Sequence, residues 1–285
     1  MTALTLPSVA GAMVQSLAAH RLLTARQLHD LHTPQASPRW TRDVLGRLVE
    51  RELVAFVHAG WGARRVYFLT DQGHQALNPT RPARADGARH AASALSAHTL
   101  AVNEVGVAFV AAARKRGDEF GPLAWRHEVA HPIGTATVGR RKELVIADAV
   151  LTYLQHLDDG ALAFHYRFLE LDRATEPTAA LAAKLIRYAR LHSYTTNNHK
   201  EPLWHQNYPV FPEILVVLDG ATRAALHRRA MTVLTLCQAD PQLRRTPEVA
   251  ISTCVLEDLV QHGPWAPIFE RLYTDRPTAW TGEPA

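Results

Sequence analysis

The chain has 285 residues and a hydrophobic content of 47%, enough for one large domain or two ordinary ones, which excludes a disordered chain. Its net charge is +4, and the excess comes mainly from arginine, the residue best suited to phosphate contact. There is no zinc-type Cys/His spacing, no secretory leader and no apolar stretch of the ~18 residues that a membrane span needs. We therefore expect a cytoplasmic protein that does not bind membranes.

Two helices are predicted at the start of the chain. Residues 8–20 show helical periodicity, and a short second helix is expected after Thr24. Thr24 is a suitable N-cap, and Gln27 three positions later completes a capping box. After the break "TPQASP", the segment at residues 39–54 predicts a third helix.

The third helix has an apolar face and a basic face. At ~100° per residue, four apolar side chains fall on one arc: Val44, Leu45, Leu48 and Val49. Three arginines fall on the opposite arc: Arg39, Arg42 and Arg47. We interpret this helix as a recognition helix that packs on the first two helices and presents its arginines to duplex DNA. The alternative is an ordinary amphipathic helix with a solvated basic face.

The next segment, "LVAFVHAGWGARRVYFLTDQG", is typical of a hairpin. Gly60 and Gly62 supply the turn, and Arg64 and Arg65 lie near its tip. Three helices followed by a hairpin with basic residues at the tip predict a winged helix-turn-helix DNA-binding domain over residues 1–78. Since some winged helices bind proteins instead of DNA, that alternative stays open.

Residues 79–92 are rich in Pro, Gly, Ala and Arg and are interpreted as a linker. Residues 93–274 are expected to form one α/β domain, with a flexible tail at 275–285. A long helix comes first in this domain, and later helices are expected at 178–194 and 221–238. Its strands are expected at residues 123–130, 143–154, 161–172, 213–220 and 248–259. Three consecutive strands favour antiparallel pairing and the later helix–strand units favour parallel pairing, which predicts an α/β sandwich with a mixed sheet.

Acidic side chains recur on the three consecutive strands. Asp148 lies inside the middle strand, where a carboxylate needs a partner or a cation. Glu170 and Asp172 share one face at the end of the next strand, and Glu128 ends the strand before. Mg²⁺ and Mn²⁺ prefer such oxygen ligands and activate water. We expect Asp148, Glu170 and Glu128 as metal ligands. The expected catalytic residues are Asp148, Glu170, Asp172 and Lys184, with the lysine orienting the water.

This order of elements, with Asp followed by Glu-x-Asp, resembles the restriction-endonuclease-like PD-(D/E)xK nuclease fold. Two positions depart from that pattern: Ala147 replaces the usual proline, and Asp172 replaces the usual lysine. Some members of the fold take their lysine from the next helix, which here implies Lys184. The alternative is that Glu170 and Asp172 serve stability alone by pairing with basic neighbours: Arg173, Lys184 or Arg187.

Nearly the whole chain resembles the replication-relaxation family of actinobacterial plasmids and integrative elements. The motifs that carry the resemblance are "HTLAVNEV", "WRHE", "IAD", "FLELDRATEP", "KLIRY" and "GPWAPIF". The resemblance implies a DNA-binding protein tied to replication, supercoiling state, mobilisation or transcriptional control of a mobile element.

Three functions follow from these patterns. The first is a sequence-specific binder of double-stranded DNA, acting as a homodimer because a single winged helix offers a small interface. The second is a metal-dependent endonuclease or nickase that uses the acidic residues. The third is a scaffold whose N-terminal domain docks on a replication or mobilisation protein such as a relaxase.

Overall fold

The computed structural model describes residues 8–59, 64–78, 95–138, 141–195 and 201–282. The predicted linker at 79–92 and the glycines of the predicted turn, Gly60 and Gly62, lie outside these ranges. The described residues divide into two compact units. The first runs to residue 111 and includes 121–123, and the second contains 112–120 and the residues from 124 onward. The domain limits drawn from the sequence stay a prediction.

Three helices open the first unit: α1 (Ser8–His20), α2 (Ala25–His32) and α3 (Pro38–Glu50). The predicted capping box at the start of α2 is confirmed. The Thr24 hydroxyl accepts a hydrogen bond from the Gln27 backbone N–H, and the Gln27 side chain accepts one from the Thr24 N–H. All three helices contribute buried apolar side chains, among them Met13, Leu17, Leu28, Leu31 and Leu45.

A three-stranded antiparallel sheet completes the first unit. Its strands are β1 (Leu23–Thr24), β2 (Val54–Ala59) and β3 (Arg64–Leu69), in the order β1-β3-β2. β2 and β3 pair as the predicted hairpin strands. The sequence does not indicate β1, because two residues are too few to show alternation. Helix α4 (Asp71–Leu77) follows β3 directly.

Residues 95–111 of helix α5 (Leu95–Arg116) belong to the first unit, where polar contacts hold them. The buried Asn103 side chain donates a hydrogen bond of 2.6 Å to the Leu22 carbonyl oxygen. Glu104 forms an ion pair with Arg26 on α2. Of the motif "HTLAVNEV", Asn103 therefore holds the connection between α1 and α2, and Glu104 holds the first turn of α2.

The second unit is built on one six-stranded sheet. Its strands are β4 (Trp125–Val138), β5 (Arg141–His156), β6 (Leu162–Asp172), β7 (Glu213–Leu218), β8 (Ile251–Val255) and β9 (Glu270–Arg271). Its helices are α6 (Thr178–Ser193), a 3₁₀ turn (Leu203–Gln206), α7 (Arg223–Ala239), α8 (Pro241–Arg245) and α9 (Leu256–His262). The strands lie in the order β4-β5-β6-β7-β8-β9.

The pairing in this sheet is mixed. β4, β5 and β6 are antiparallel neighbours, whereas β7 pairs in parallel with both β6 and β8. Helices α6 and α7 contribute buried side chains such as Leu185, Tyr188 and Val233 to the core that contains Phe168 and Val216. The predicted mixed α/β class, with antiparallel strands before parallel ones, is confirmed.

The prediction of one strand over residues 248–259 is wrong in its second half. The strand ends at Val255, and residues 256–262 form helix α9. The side chains of Leu256, Asp258 and Leu259 are buried in this helix. A short apolar run does not distinguish a strand from a buried helical turn, which is the physical reason for the error.

We expect Asn103→Ala to lower the free energy of unfolding by about 1–3 kcal/mol, because it leaves the buried Leu22 carbonyl without that donor. Chemical denaturation followed by circular dichroism measures the change. Asn207→Ala, at an exposed position, is the control and should leave stability within about 0.5 kcal/mol of wild type. Equal stabilities for the two variants would show that the Asn103 contact contributes nothing.

Candidate functional site

Helix α3 begins at a well-formed cap. The Ser37 hydroxyl accepts a hydrogen bond of 3.2 Å from the Trp40 N–H, and Pro38 occupies the first helical position, where its missing N–H costs nothing. The predicted boundary at residue 39 thus differs from the observed one by a single residue. The cap fixes where the exposed face of the helix starts.

A buried polar trio fixes α3 against α2. The Thr41 hydroxyl lies 2.9 Å from Nδ1 of His29 and 2.7 Å from the Thr33 hydroxyl. Further along the helix, Val44, Leu45 and Leu48 are buried. Polar and apolar contacts together leave one face of α3 in solvent.

The three arginines predicted for DNA contact lie on that exposed face: Arg39, Arg42 and Arg47. Their guanidinium groups make no hydrogen bond or ion pair with any residue that the structure describes. The same face carries Asp43 and Glu50, so the charge there is mixed with a positive excess. Some other arginines are held by acids, as Arg26 is by Asp30 at 2.7 Å.

The two hairpin arginines are also exposed. Arg64 and Arg65 open strand β3, and the Arg65 guanidinium lies over the Phe56 ring at 4.4 Å from its centroid. This cation–π contact holds Arg65 on the surface of the sheet. The turn that would carry the tip of the hairpin lies outside the described residues.

In the second unit, the structure brings together Asp148, Glu170 and Lys184. The sheet register pairs Ala149 with Leu169, which sets Asp148 and Glu170 side by side on β5 and β6. Lys184 on α6 forms an ion pair with Glu170 and lies 3.4 Å from a carboxylate oxygen of Asp148.

The remaining carboxylate oxygens of this acidic cluster also have protein donors. The Tyr188 hydroxyl, one turn after Lys184, donates a hydrogen bond of 2.5 Å to Glu170. The Leu171 N–H donates one of 2.8 Å to Asp148. The sequence places Tyr188 on the same face as Lys184, but nothing in the pattern gives it this partner.

The electrostatics of the cluster favour a protonated Glu170. Burial raises the pKa of Glu170 to about 8, and the charge of Asp148 adds to the effect, while Lys184 and Tyr188 oppose it. Burial lowers the pKa of Lys184, but the interactions with Glu170 and Asp148 outweigh it, so that the net direction is upward. The ammonium form of Lys184 therefore persists beside both acids.

Asp172 lies outside this cluster. Its carboxylate is bound by the Arg229 guanidinium through two N–H groups, one of them at 3.1 Å. Arg229 also donates to the Glu176 carbonyl at 2.8 Å and so joins the end of β6 to the loop before α6. The sequence offers Arg173, Lys184 and Arg187 as partners for the acids. The sequence does not indicate Arg229 as a partner, because it is distant from Asp172 in the chain. The only local sign is that Arg229 shares a helical face with the buried side chains of Leu226 and Val233.

Glu128 on β4 lies opposite Asp148 on β5 in the sheet register, since its two neighbours pair with Ala149 and Ala147. It is exposed, and its backbone has a φ of 51°. That left-handed conformation is uncommon for a residue other than glycine and interrupts the regular strand.

The residues present do not fit a divalent metal ion in this arrangement. No group of three His, Cys, Asp or Glu side chains within the described ranges could hold one. Mg²⁺ and Mn²⁺ need several oxygen ligands, whereas here the Lys184 ammonium already lies between two carboxylates. The arrangement as built is a neutralised acidic cluster.

These observations define a two-unit α/β protein with an exposed basic helix in one unit and a neutralised acidic cluster in the other. The profile of the replication-relaxation family matches residues 14–203, more than half of the chain. The chain belongs to the replication-relaxation family, as its motifs predict. No curated protein matches the chain, and no solved structure matches it either. Within the described residues, no helix has the length and apolar character to cross a membrane.

The raised pKa of Glu170 predicts a pH-dependent stability. The folded state holds this proton up to about pH 8, whereas the ordinary value is 4.5. Between these values the folded state binds more protons than the unfolded state. The free energy of unfolding should therefore fall as the pH rises from about 5 to 8, by at most about 1.4 kcal/mol per pH unit.

Denaturation of wild type and Glu170→Gln across that pH range measures the effect. The variant cannot titrate at this position, so its stability relative to wild type should rise with pH. Glu176→Gln, at an exposed carboxyl of the same unit, should follow the wild-type curve. Parallel curves for wild type and Glu170→Gln would contradict the raised pKa.

Proposed function

We propose that this protein is a sequence-specific binder of double-stranded DNA that acts in the replication, mobilisation or transcriptional control of a plasmid or mobile element. The N-terminal unit would be a winged helix-turn-helix, with α3 as its recognition helix and the β2–β3 hairpin as its wing. Membership of the replication-relaxation family supports the setting.

One observation carries the proposal. Arg39, Arg42 and Arg47 stand exposed on one helix with no acid partner among the described residues, while Arg26 on the neighbouring helix is neutralised. An exposed guanidinium that no acid holds can bind phosphate or a guanine edge. Arg64 and Arg65 on the hairpin would add contacts to the DNA backbone.

A homodimer on a two-fold site is part of the proposal. One winged helix buries a small interface, and two recognition helices one DNA turn apart would supply the specificity. The second unit would then provide dimer or DNA contacts, and a replication or mobilisation protein would be its partner.

We expect the triple variant Arg39→Ala, Arg42→Ala, Arg47→Ala to bind duplexes selected by the wild-type protein from a randomised library roughly a hundredfold more weakly. The slope of log affinity against log salt should fall by about 1 for each phosphate that the variant no longer neutralises. Fluorescence anisotropy with labelled duplexes measures both quantities.

The control removes the same charge from the second unit: Arg228→Ala, Arg244→Ala, Arg245→Ala, all exposed positions. Its affinity should stay close to wild type. Equal losses of affinity in both triple variants would mean that the α3 arginines contribute no more to DNA binding than these arginines of the second unit. Unchanged affinity in the α3 variant would favour the scaffold function, in which the N-terminal unit docks on a protein such as a relaxase.

The metal-dependent endonuclease is the second candidate, and the convergence of Asp148, Glu170 and Lys184 favours it. Against it, Lys184 lies where a cation would have to bind, and Asp172 is held by Arg229.

We therefore expect supercoiled plasmid to remain intact with wild-type protein and Mg²⁺ or Mn²⁺, at the level of Asp148→Ala/Glu170→Ala. Agarose gel electrophoresis measures nicking, and circular dichroism checks that the double variant is folded. Nicking by wild type that the folded double variant lacks would establish the nuclease and its metal, and would overturn DNA binding without cleavage.

A further inference from the structure

Helix α3 contains a glycine that nothing in the described part of the protein explains. Gly46 lies in the interior of the helix and is exposed. A Cβ atom added there would meet no described atom within 4 Å, and the backbone is not in the left-handed region. Glycine inside a helix costs about 1 kcal/mol relative to alanine. The fold therefore bears a cost at this position without a packing or conformational gain.

Gly73 in helix α4 differs from Gly46 in this respect. A Cβ atom at Gly73 would lie 2.1 Å from the backbone oxygen of Leu53. That close approach requires a glycine, so Gly73 has a reason inside the fold. Gly46, in contrast, has no described neighbour that an added Cβ atom would meet.

Gly46 lies on the exposed side of α3, away from the buried side chains of the helix. At ~100° per residue, it lies within about 30° of the direction opposite the buried side chains of α3. Arg42 precedes it by one turn and Arg47 follows it directly, while Asp43 and Glu50 lie on the same exposed face. The helix backbone is therefore bare near the middle of a face of mixed charge with a positive excess.

We infer that Gly46 is the point at which bound duplex DNA comes closest to helix α3. This inference rests on the proposed function. A missing side chain lets the helix backbone sit deeper against the DNA, and a deeper helix brings the flanking guanidinium groups within reach of phosphates or base edges. Gly46 is thus a positioning residue, which makes no charged contact of its own.

A size series at this position tests the inference: Gly46→Ala, Gly46→Ser and Gly46→Leu. The probes are labelled duplexes selected by the wild-type protein from the randomised library. We expect affinity to fall about fivefold for alanine and at least about fiftyfold for leucine, in order of side-chain size. The salt slope should stay unchanged, because no charged group has been removed.

Folding should respond in the opposite direction. Gly46→Ala should raise the melting temperature by a few degrees, since alanine favours the helix and meets no neighbour. Gly121→Ala is the matched control, because a Cβ atom there also meets nothing within 4 Å. Its DNA affinity should equal that of wild type.

The outcomes separate this inference from the proposed function. Wild-type affinity for Gly46→Leu, together with the expected loss of affinity in the α3 arginine variant, overturns the inference and leaves the proposed function in place. Wild-type affinity in the arginine variant overturns both. Weaker binding accompanied by a lower melting temperature also overturns the inference, since Gly46 would then be needed by the fold itself.

Discussion

The second unit depends on the contact between the buried Glu170 carboxyl group and Lys184. Glu170 lies on β6 in the interior of the sheet, where a carboxyl group without a partner would be costly. Lys184 and Tyr188 come from one face of α6, so satisfying the acid also fixes how this helix lies on the sheet. The motifs "FLELDRATEP" and "KLIRY" are thus two halves of one packing arrangement, which gives a structural reason for their pairing in the chain.

In the first unit some charged side chains are paired with each other and others stay exposed. Arg26 is fixed by Asp30 and Glu104, and Asn103 holds the connection between α1 and α2. These contacts stabilise the scaffold from which α3 projects. The arginines on the exposed face of α3 take no part in them. A rigid support with exposed cations on one side is what recognition of an anionic polymer requires, and it explains why the proposed function rests on this unit.

Local signals in the sequence were enough for much of the fold. The capping box at Thr24, the two faces of α3 and the alternation of strands β5 and β6 depend on neighbours in the chain, so they can be read from spacing. Long-range partners cannot be read in this way. Arg229 reaches Asp172 across 57 positions, and β1 is defined only by its pairing with β3. The convergence of Asp148, Glu170 and Lys184 follows from strand order, but the place of Lys184 between the two acids does not.

The contact between Arg229 and Asp172 constrains which residue position 172 can carry. In the nuclease-like pattern a lysine stands at the position of Asp172, and in this chain that lysine would face the Arg229 guanidinium. Two cations at the end of β6 would repel each other in a site that is largely buried. A lysine at position 172 would therefore be costly as long as arginine stands at position 229. In this chain the two positions act together, because the Arg229 guanidinium holds the Asp172 carboxylate in place.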